Sequence, residues 1–340
     1  MNVVFACLDA DTLGGVQQVT HTLAQGLAGR GHEVHVIGLE RSRAPFRYVE
    51  RPMYRRHVTG AGRRLRGLLG GIGPGYAIMT TPSVVARLSA LLPPALRPIG
   101  QYHGSYDHAR GCWHLGSIRR HYPGLDQAVF LSEDDAWLFS EHALLPNTWT
   151  LPNPLPHWPE QVSSLRSPRV LGVGRLEGVK RFDRLISAFA RSGAPQEWEL
   201  HLIGDGSELG RLREHAYREG VGHRVVFRGL VPAERMPGEY LDASVVGLTS
   251  EHEGLPVVLL EAAAHGVPSV AFDVSGGVRS AGPVPVPPGD VDAFASVLGA
   301  LTWSPKERRR LGVAARARAE AFRLDHVLDG WERLFAHLER

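Results

Sequence analysis

Short apolar runs alternate with helix-spaced apolar residues twice along this chain, and a proline-rich segment separates the two passes. In the first pass, Val3–Cys7 is a strand-length apolar run, after which Val16, Val19, Leu23 and Leu27 recur at helical spacing before Gly29 and Gly31. Val34–Leu39 is again strand-like, and further strands are expected at Tyr76–Met79, Pro98–Tyr102, Gln127–Leu131 and Trp149–Leu151. Thr81 and Pro82 suit the cap and first residue of an intervening helix. Leu151–Pro159 then holds four prolines and no periodicity, which excludes a helix interior and marks a connection. The second pass predicts strands at Val170–Val173, Glu199–Ile203, Arg224–Phe227, Ser244–Leu248 and Ser269–Phe272, with helices near 182–191, 207–219, 232–241 and 255–265. From Pro305 the pattern is helical, ending in Trp331, Leu334, Phe335 and Leu338.

Alternation of this kind requires a parallel sheet with helices on both faces. The expected class is therefore α/β, with two Rossmann-like domains, 1–152 and 153–320, facing across a deep cleft. The final stretch, 321–340, is expected to be a helix returning toward the first domain. Ligands of such sheets bind beyond the carboxyl ends of the strands.

With 43% hydrophobic and 21% charged residues, the 340-residue chain has the apolar surface for real cores, which excludes disordered and collagen-like classes. No apolar run reaches the roughly 18 residues needed to span a bilayer. The first residues, MNVVFACLDAD, lack the basic segment and cleavage site of a secretory signal. Two cysteines, Cys7 and Cys112, make no disulfide framework, so a cytoplasmic protein is expected, at most peripheral at the inner face of a membrane. A net charge of +3 carries no polyanion signature, and no nucleic-acid partner is expected. Only Lys180 and Lys306 are lysines, and nine arginines crowd Arg41–Arg66. Two readings of that stretch stand side by side: an ordinary solvated loop or short helix, or a face for an anionic acceptor or membrane surface.

Four segments carry candidate chemistry. In Glu253–Glu261, every residue from Gly254 to Ala264 except Glu261 is apolar, glycine or proline, and Pro256 suits the first helical turn. A carboxylate inside an apolar helix needs a polar partner, either an arginine or the hydroxyls of a ligand. Glu253 sits just before that helix, where backbone N–H groups favour anions. Arg175 and Lys180 follow an apolar strand and suit a phosphate group, or else an ordinary solvated turn. Gly14-Gly15 joins the first strand to its helix and permits close backbone approach, although it is not a dinucleotide fingerprint. His103 follows a strand beside Gly104; His103, His108 and His114 match no recognised zinc spacing, and no metal site is expected.

Together these segments resemble family 4 of the glycosyltransferases, retaining enzymes with the GT-B fold. The resemblance spans nearly the whole chain and is strongest from Arg169 to Asp290. It rests on GGVQQVTHTLAQGLAGRGHEVHV, GVGRLEGVKRFDRLISAF, LIGDGSELGRLRE with VVFRGLV, and SEHEGLPVVLLEAAAHGVPSVAFDVSGG, which contains the Glu-x7-Glu pattern. It implies hexosyl transfer from a nucleotide-diphosphate sugar, a UDP-sugar favoured, to a glycan, lipid-linked or small-molecule acceptor. By the same resemblance, Arg175 and Lys180 hold the diphosphate, Glu261 the ribose hydroxyls and Glu253 the transferred sugar. Gly254, Leu255 and Pro256 present backbone to sugar and phosphate. Gly204 and Asp205 end a strand at the cleft, Leu230 and Val231 lie at the base, Gly15 approaches the phosphates, and His103 sits near the reacting sugar. No metal or other cofactor is implied. Asp9-Ala-Asp11 has the form of a manganese motif from a different transferase fold, but its place before the first Gly-Gly loop argues against that role. Gly276–Ser280 departs from the family's GGxxE ending, with serine in place of glutamate. Epimerases, phosphorylases and catalytically silent nucleotide-sugar-binding subunits share the same architecture.

Overall fold

The computed structural model describes residues 1–12, 14–43, 45–46, 53–59 and 62–340. It divides into two compact units, Met1–Pro156 with Phe322–Arg340, and His157–Ala321.

The first unit runs β1 (Asn2–Asp9), α1 (Gly15–Gly29), β2 (Glu33–Glu40), β3 (Tyr54–Val58), α2 (Arg63–Gly70), β4 (Gly75–Met79), α3 (Pro82–Leu88), β5 (Leu96–Gln101), α4 (Tyr106–Arg110), α5 (Trp113–His121), β6 (Gln127–Phe130), α6 (Glu133–Ala143) and β7 (Thr148–Thr150). Its parallel sheet has the order β3-β2-β1-β4-β5-β6-β7, so the direction of winding reverses between β1 and β4. Val3, Val4, Phe5 and Ala6 are wholly buried, as a parallel strand covered on both faces demands. Thr81, Ser105 and Ser132 cap α3, α4 and α6 by accepting a backbone N–H three residues on, each contributing about 1 kcal/mol.

The arginine-rich stretch is only in part the loop or short helix expected: Arg63–Arg66 open the short helix α2, but the residues before them include a strand. Tyr54–Val58 forms the edge strand β3, because Tyr54 buries itself beneath the sheet while Arg55 and Arg56 point outward. Arg63, Arg64 and Arg66 lie on the exposed side of α2, whose Leu65 and Leu69 are buried. Arg55 pairs with Glu33 at 3.3 Å and Arg56 with Asp11 at 2.5 Å, whereas Arg47, Glu50 and Arg51 lie outside the described residues.

The second unit runs β8 (Arg169–Val173), α7 (Phe182–Arg191), β9 (Glu199–Ile203), α8 (Leu209–Arg218), β10 (Val225–Gly229), α9 (Met236–Leu241), β11 (Val245–Leu248), α10 (Val257–Ala264), β12 (Ser269–Phe272), α11 (Gly276–Ala281), β13 (Val284–Val286), α12 (Val291–Trp303) and α13 (Pro305–Ala319). Its parallel order is β10-β9-β8-β11-β12-β13, reversing between β8 and β11. Three-residue β13 carries too little periodicity to announce itself in the sequence.

The chain then returns to the first unit with α14 (Leu324–Leu338), which buries Trp331, Leu334 and Phe335. Trp331 meets Phe5 edge-on at 6.4 Å, Phe335 stacks on Tyr76 at 4.4 Å, and the Tyr76 hydroxyl donates to the Phe335 carbonyl at 2.8 Å. Arg30, the residue that follows α1, ties the outer face through Asp329 and Glu332 at 2.6 and 2.7 Å. Trp331→Ala is expected to destabilise this unit by about 3–5 kcal/mol, since the cavity lies between a helix and the sheet and neither can close it. Urea unfolding followed by circular dichroism measures this, and a loss below about 1 kcal/mol contradicts it. Among the described residues, no helix is long and apolar enough to cross a membrane.

Candidate active site

A reversal of strand order leaves two neighbouring strands whose following loops diverge, opening a crevice at their carboxyl ends. In the second unit that place lies between β8 and β11, followed respectively by Gly174–Lys180 and Thr249–Pro256. The candidate residues therefore converge although some 70 positions separate them in the chain.

The central contact joins two of them. Lys180 Nζ donates to Glu253 Oε1 at 2.7 Å, with the two side chains 24% and 11% exposed, so the pair is largely shielded from water. Their loops are joined through the backbone as well: Glu251 N–H donates to the Val179 carbonyl at 2.9 Å, and the Thr249 hydroxyl reaches the Arg181 carbonyl at 2.9 Å. Arg181 stands in the left-handed region at φ 48°, an unfavourable conformation for a side-chain-bearing residue. Its guanidinium is fixed by Asp183 at 2.9 Å and Glu251 at 2.5 Å. Burial alone would raise the Asp183 pKa, but the hydrogen bonds and charge of Arg181 hold it below the usual carboxylate range. Arg175 differs: its side chain is 72% exposed and, among the described residues, pairs only with nearby Glu177 at 3.1 Å.

Neighbouring loops close on the same edge. Gly204 has φ +135°, and a Cβ there would run into the Gly174 carbonyl oxygen; only glycine lets the loop after β9 lie against the loop after β8. Leu176 N–H donates to the Asp205 carbonyl at 2.9 Å, and Gly204 N–H to the Gly229 carbonyl at 2.9 Å. Leu230 and Val231 follow directly, Leu230 with 75% exposure for a large apolar side chain. On the other side, the Ser275 hydroxyl donates to the Gly254 carbonyl at 3.0 Å while also capping α11, and Gly277 leaves room for that same carbonyl. The Ser280 hydroxyl turns back onto the Gly276 carbonyl at 2.9 Å.

Two expectations for the Glu253–Glu261 segment need correction. Pro256 is the residue before α10 rather than its first helical residue, with an extended ψ of 111°. Glu261 takes, among the described residues, a partner that neither alternative named: the Tyr240 hydroxyl donates to its Oε2 at 2.6 Å. Burial pushes the Glu261 pKa up and the Tyr240 bond works against that rise. Tyr240 itself is stacked on His265 at 5.1 Å. Neither Tyr240 nor Arg181 nor Ser275 stood out in the sequence; a serine three residues before Val278 is the one local signal, that of a helix cap.

Gly15 and His103 belong to the first unit. Gly15 opens the 15-residue α1 with an exposed backbone and no acidic residue in the first turn, leaving the positive helix end uncompensated. His103 follows β5. Its Nε2 is enclosed with no hydrogen-bond partner among the described residues, while Asn153 hydrogen-bonds the ring. Burial pushes its pKa down from 6.5 to about 4. The folded state therefore resists protonation where the unfolded chain accepts it, so this group's contribution is intact above pH 6.5 and lost as the pH falls toward 4. An NMR titration is expected to show a neutral His103 imidazole at pH 6, and a midpoint above 6 contradicts the enclosure.

Asp9 and Asp11, the residues of the possible manganese motif, have other partners. Asp9 Oδ1 accepts the backbone N–H of Asp11 and Thr12 at 2.8 and 3.2 Å, and Asp11 pairs with Arg56. In the histidine segment, donor atoms of His108 and His114 come together with that of Cys112, a residue the sequence spacing did not join to them.

Two parallel-sheet α/β units, the second with loops converging at the β8/β11 switch point, have the GT-B architecture. The family profile described as "Glycosyl transferases group 1" matches residues 158–318, and "Glycosyltransferase Family 4" matches 13–156. The chain is 29% identical to the exopolysaccharide phosphotransferase SCO2592 of Streptomyces coelicolor over 99% of its own length, but spans only 41% of that relative. It is 26% identical to the amylovoran biosynthesis glycosyltransferase AmsD of Erwinia amylovora, covering 94% of this chain and 95% of that one. Among solved structures, sucrose-phosphate synthase from Thermosynechococcus elongatus superposes with a TM-score of 0.84 at 19% identity, covering 99% of each chain. Anabaena HepE in complex with UDP gives 0.78 at 17% identity, over 99% of this chain and 100% of that one. The chain belongs to the group 1, family 4 glycosyltransferases.

Proposed function

We propose that the protein transfers a hexose from a nucleotide-diphosphate sugar to a glycan, lipid-linked or small-molecule acceptor, with retention of anomeric configuration. The observation that carries this reading is the shielded Lys180–Glu253 pair at the switch point of the second unit. Cleavage of the sugar–phosphate bond leaves negative charge on the diphosphate and positive character at the anomeric carbon. Lys180 and Arg175 supply charge to the leaving group, and Glu253, oriented by Lys180, accepts hydrogen bonds from the sugar hydroxyls. Glu261, kept in place by Tyr240, receives the ribose hydroxyls. Gly204, Asp205, Leu230 and Val231 bound the base, Gly254–Pro256 offer backbone to the sugar, and Gly15 meets the phosphates. With Glu253 engaged by Lys180, same-face attack is favoured over a covalent glycosyl-enzyme: the acceptor oxygen bonds the anomeric carbon as the phosphate oxygen departs and takes the acceptor proton. His103, neutral at physiological pH, orients the reacting sugar through its enclosed ring.

A UDP-sugar is the favoured donor, supported by the UDP bound to Anabaena HepE and by the polysaccharide-synthesis names of the relatives. A thermal-shift panel of UDP, GDP, ADP and dTDP with their sugars, followed by acceptor screening with nucleotide release as readout, tests it. Stabilisation by none of them would overturn the nucleotide-sugar reading.

Donor chemistry is expected to need no divalent metal, since the two cations and the helix ends supply the positive potential. Turnover should not rise when Mn2+ or Mg2+ is added to chelated enzyme. Complete loss, restored by manganese and by no other ion, would return Asp9 and Asp11 to consideration as ligands.

The exposed arginines of Arg41–Arg66 are proposed to face an anionic acceptor or membrane surface. Replacing Arg63, Arg64 and Arg66 with Gln should lower acceptor-dependent turnover at low salt and flatten its salt dependence as the Debye length shrinks from about 30 to 10 Å. Donor affinity should stay near that of the parent. A variant with the parental salt profile reduces the stretch to a solvated surface.

A further inference from the structure

We propose that His108, Cys112 and His114 form a binding site for a thiophilic divalent cation of the zinc class. One donor atom from each of the three residues lies within 4.8 Å of the others, and all three residues are partly exposed, which leaves the ion a route in. His108 Nε2 stands 3.9 Å from Cys112 Sγ. Bonds of about 2.0–2.1 Å to nitrogen and 2.3 Å to sulfur place tetrahedral donors roughly 3.5 Å apart, so His108 and Cys112 need to close by a few tenths of an ångström and no pair by more than about 1.3 Å, within reach of side-chain rotation.

The local fold explains the gathering. The Ser105 hydroxyl accepts the His108 N–H at 3.2 Å and starts α4, a single short helix. Its end carries Cys112 one turn beyond His108, with the Cys112 N–H donating to the Ala109 carbonyl at 3.2 Å. The chain then turns into α5, bringing His114 back so that its ring meets that of His108 edge-on at 5.4 Å. The His-x3-Cys-x-His spacing matches no zinc pattern in sequence because this helix–turn–helix corner, rather than one regular element, brings the donors together.

A second, independent feature has the form of a metal site. Tyr102 Oη lies 3.0 Å from His114 Nδ1, which leaves Nε2 as the metal-facing nitrogen. Metal-bound imidazoles ordinarily have such a partner on the other ring nitrogen, where it fixes ring orientation and tautomer. Two imidazoles and a thiolate suit zinc better than magnesium or calcium, and three protein ligands leave a fourth position for water. Tyr102 immediately precedes His103. An ion held here would tie the α4–α5 corner to the end of β5, steadying the segment that carries His103 without touching the donor residues of the second unit.

The test uses the full chain, purified without a histidine tag. Dialysed protein is expected to retain about one equivalent of zinc, falling severalfold in Cys112→Ser and His114→Ala but not in His223→Ala, a histidine of the other unit. Cobalt added to stripped protein should give a thiolate-to-metal absorption band that Cys112→Ser lacks. Because those variants could lose zinc by misfolding, the unmodified chain gives the deciding measurement. Cys7 is buried at 2% exposure, so alkylation followed by mass spectrometry reports Cys112. Zinc should slow alkylation of Cys112 at least tenfold, and magnesium should not. Equal alkylation rates with and without zinc, or a cobalt complex with no thiolate band, overturn the proposal. Neither outcome bears on donor transfer, which is read separately by nucleotide release.

Discussion

Lys180→Ala is expected to slow sugar transfer by two orders of magnitude or more, mostly in kcat, while the protein remains folded. Charge on the departing diphosphate exists mainly in the transition state, and a fixed cation in a shielded place contributes about 3 kcal/mol there, equivalent to a factor of roughly 150. Lys180 is suited to this by its 24% exposure and its 2.7 Å bond to Glu253. The substitution also leaves Glu253 without its cation, so Glu253→Gln in the same background separates the two effects. If lost orientation of Glu253 dominates, the double variant falls no further than Lys180→Ala. If leaving-group charge dominates, Glu253→Gln alone is much the milder change. Arg175→Ala should be weaker, within about tenfold, because its 72% exposed side chain acts through solvent. Steady-state kinetics with nucleotide release decide the matter: a kcat for Lys180→Ala within threefold of the parent removes the lysine from the phosphate site.

Gly204→Ala is expected to abolish measurable donor binding, although it adds a single methyl group. The added carbon would run into the Gly174 carbonyl oxygen, and the backbone at φ +135° is unfavourable for any side chain. Steric overlap and torsional strain together cost about 3 kcal/mol or more. The loops after β8 and β9 can relieve this only by separating, which breaks the Leu176–Asp205 bond of 2.9 Å and displaces Arg175. Calorimetric titration with nucleoside diphosphate, alongside a melting curve, gives the measurement. Gly178→Ala, where no atom lies within 4 Å of the added carbon, is the control and should bind as the parent does. If Gly204→Ala keeps the parental affinity, this loop has no part in donor binding.

Much of the scaffold was legible because periodicity is local. Val3–Cys7 and Ser269–Phe272 read as buried strands from composition alone, and Thr81-Pro82 as a helix start, since the side chain and backbone concerned are three residues apart. Within the arginine stretch the short helix α2 agrees with expectation, whereas β3 was not legible because it has a single buried residue, Tyr54, and outward arginines; an edge strand needs only a partner to pair with, and that partner is β2. Glu261 was recognisable as a carboxylate needing a partner, but Tyr240 is 21 positions away on another helix and no spacing rule connects them. The same limit hid Arg181, whose left-handed backbone accompanies a guanidinium held by Asp183 and by Glu251, 70 positions away.

The sequence by itself determined the two α/β passes, the parallel sheets and the loops that carry Arg175, Lys180, Glu253 and His103, because continuous apolar runs for strands buried on both faces, and a 3.6-residue period for helices, act over a few residues. Only the tertiary structure decided that Lys180 meets Glu253 across 73 positions, that Tyr240 serves Glu261, and that His108, Cys112 and His114 share one corner. These depend on strand order and on the turn between two short helices, where side chains far apart or irregularly spaced in the chain reach hydrogen-bonding distance, and the energies that select such contacts come from packing that no local pattern encodes.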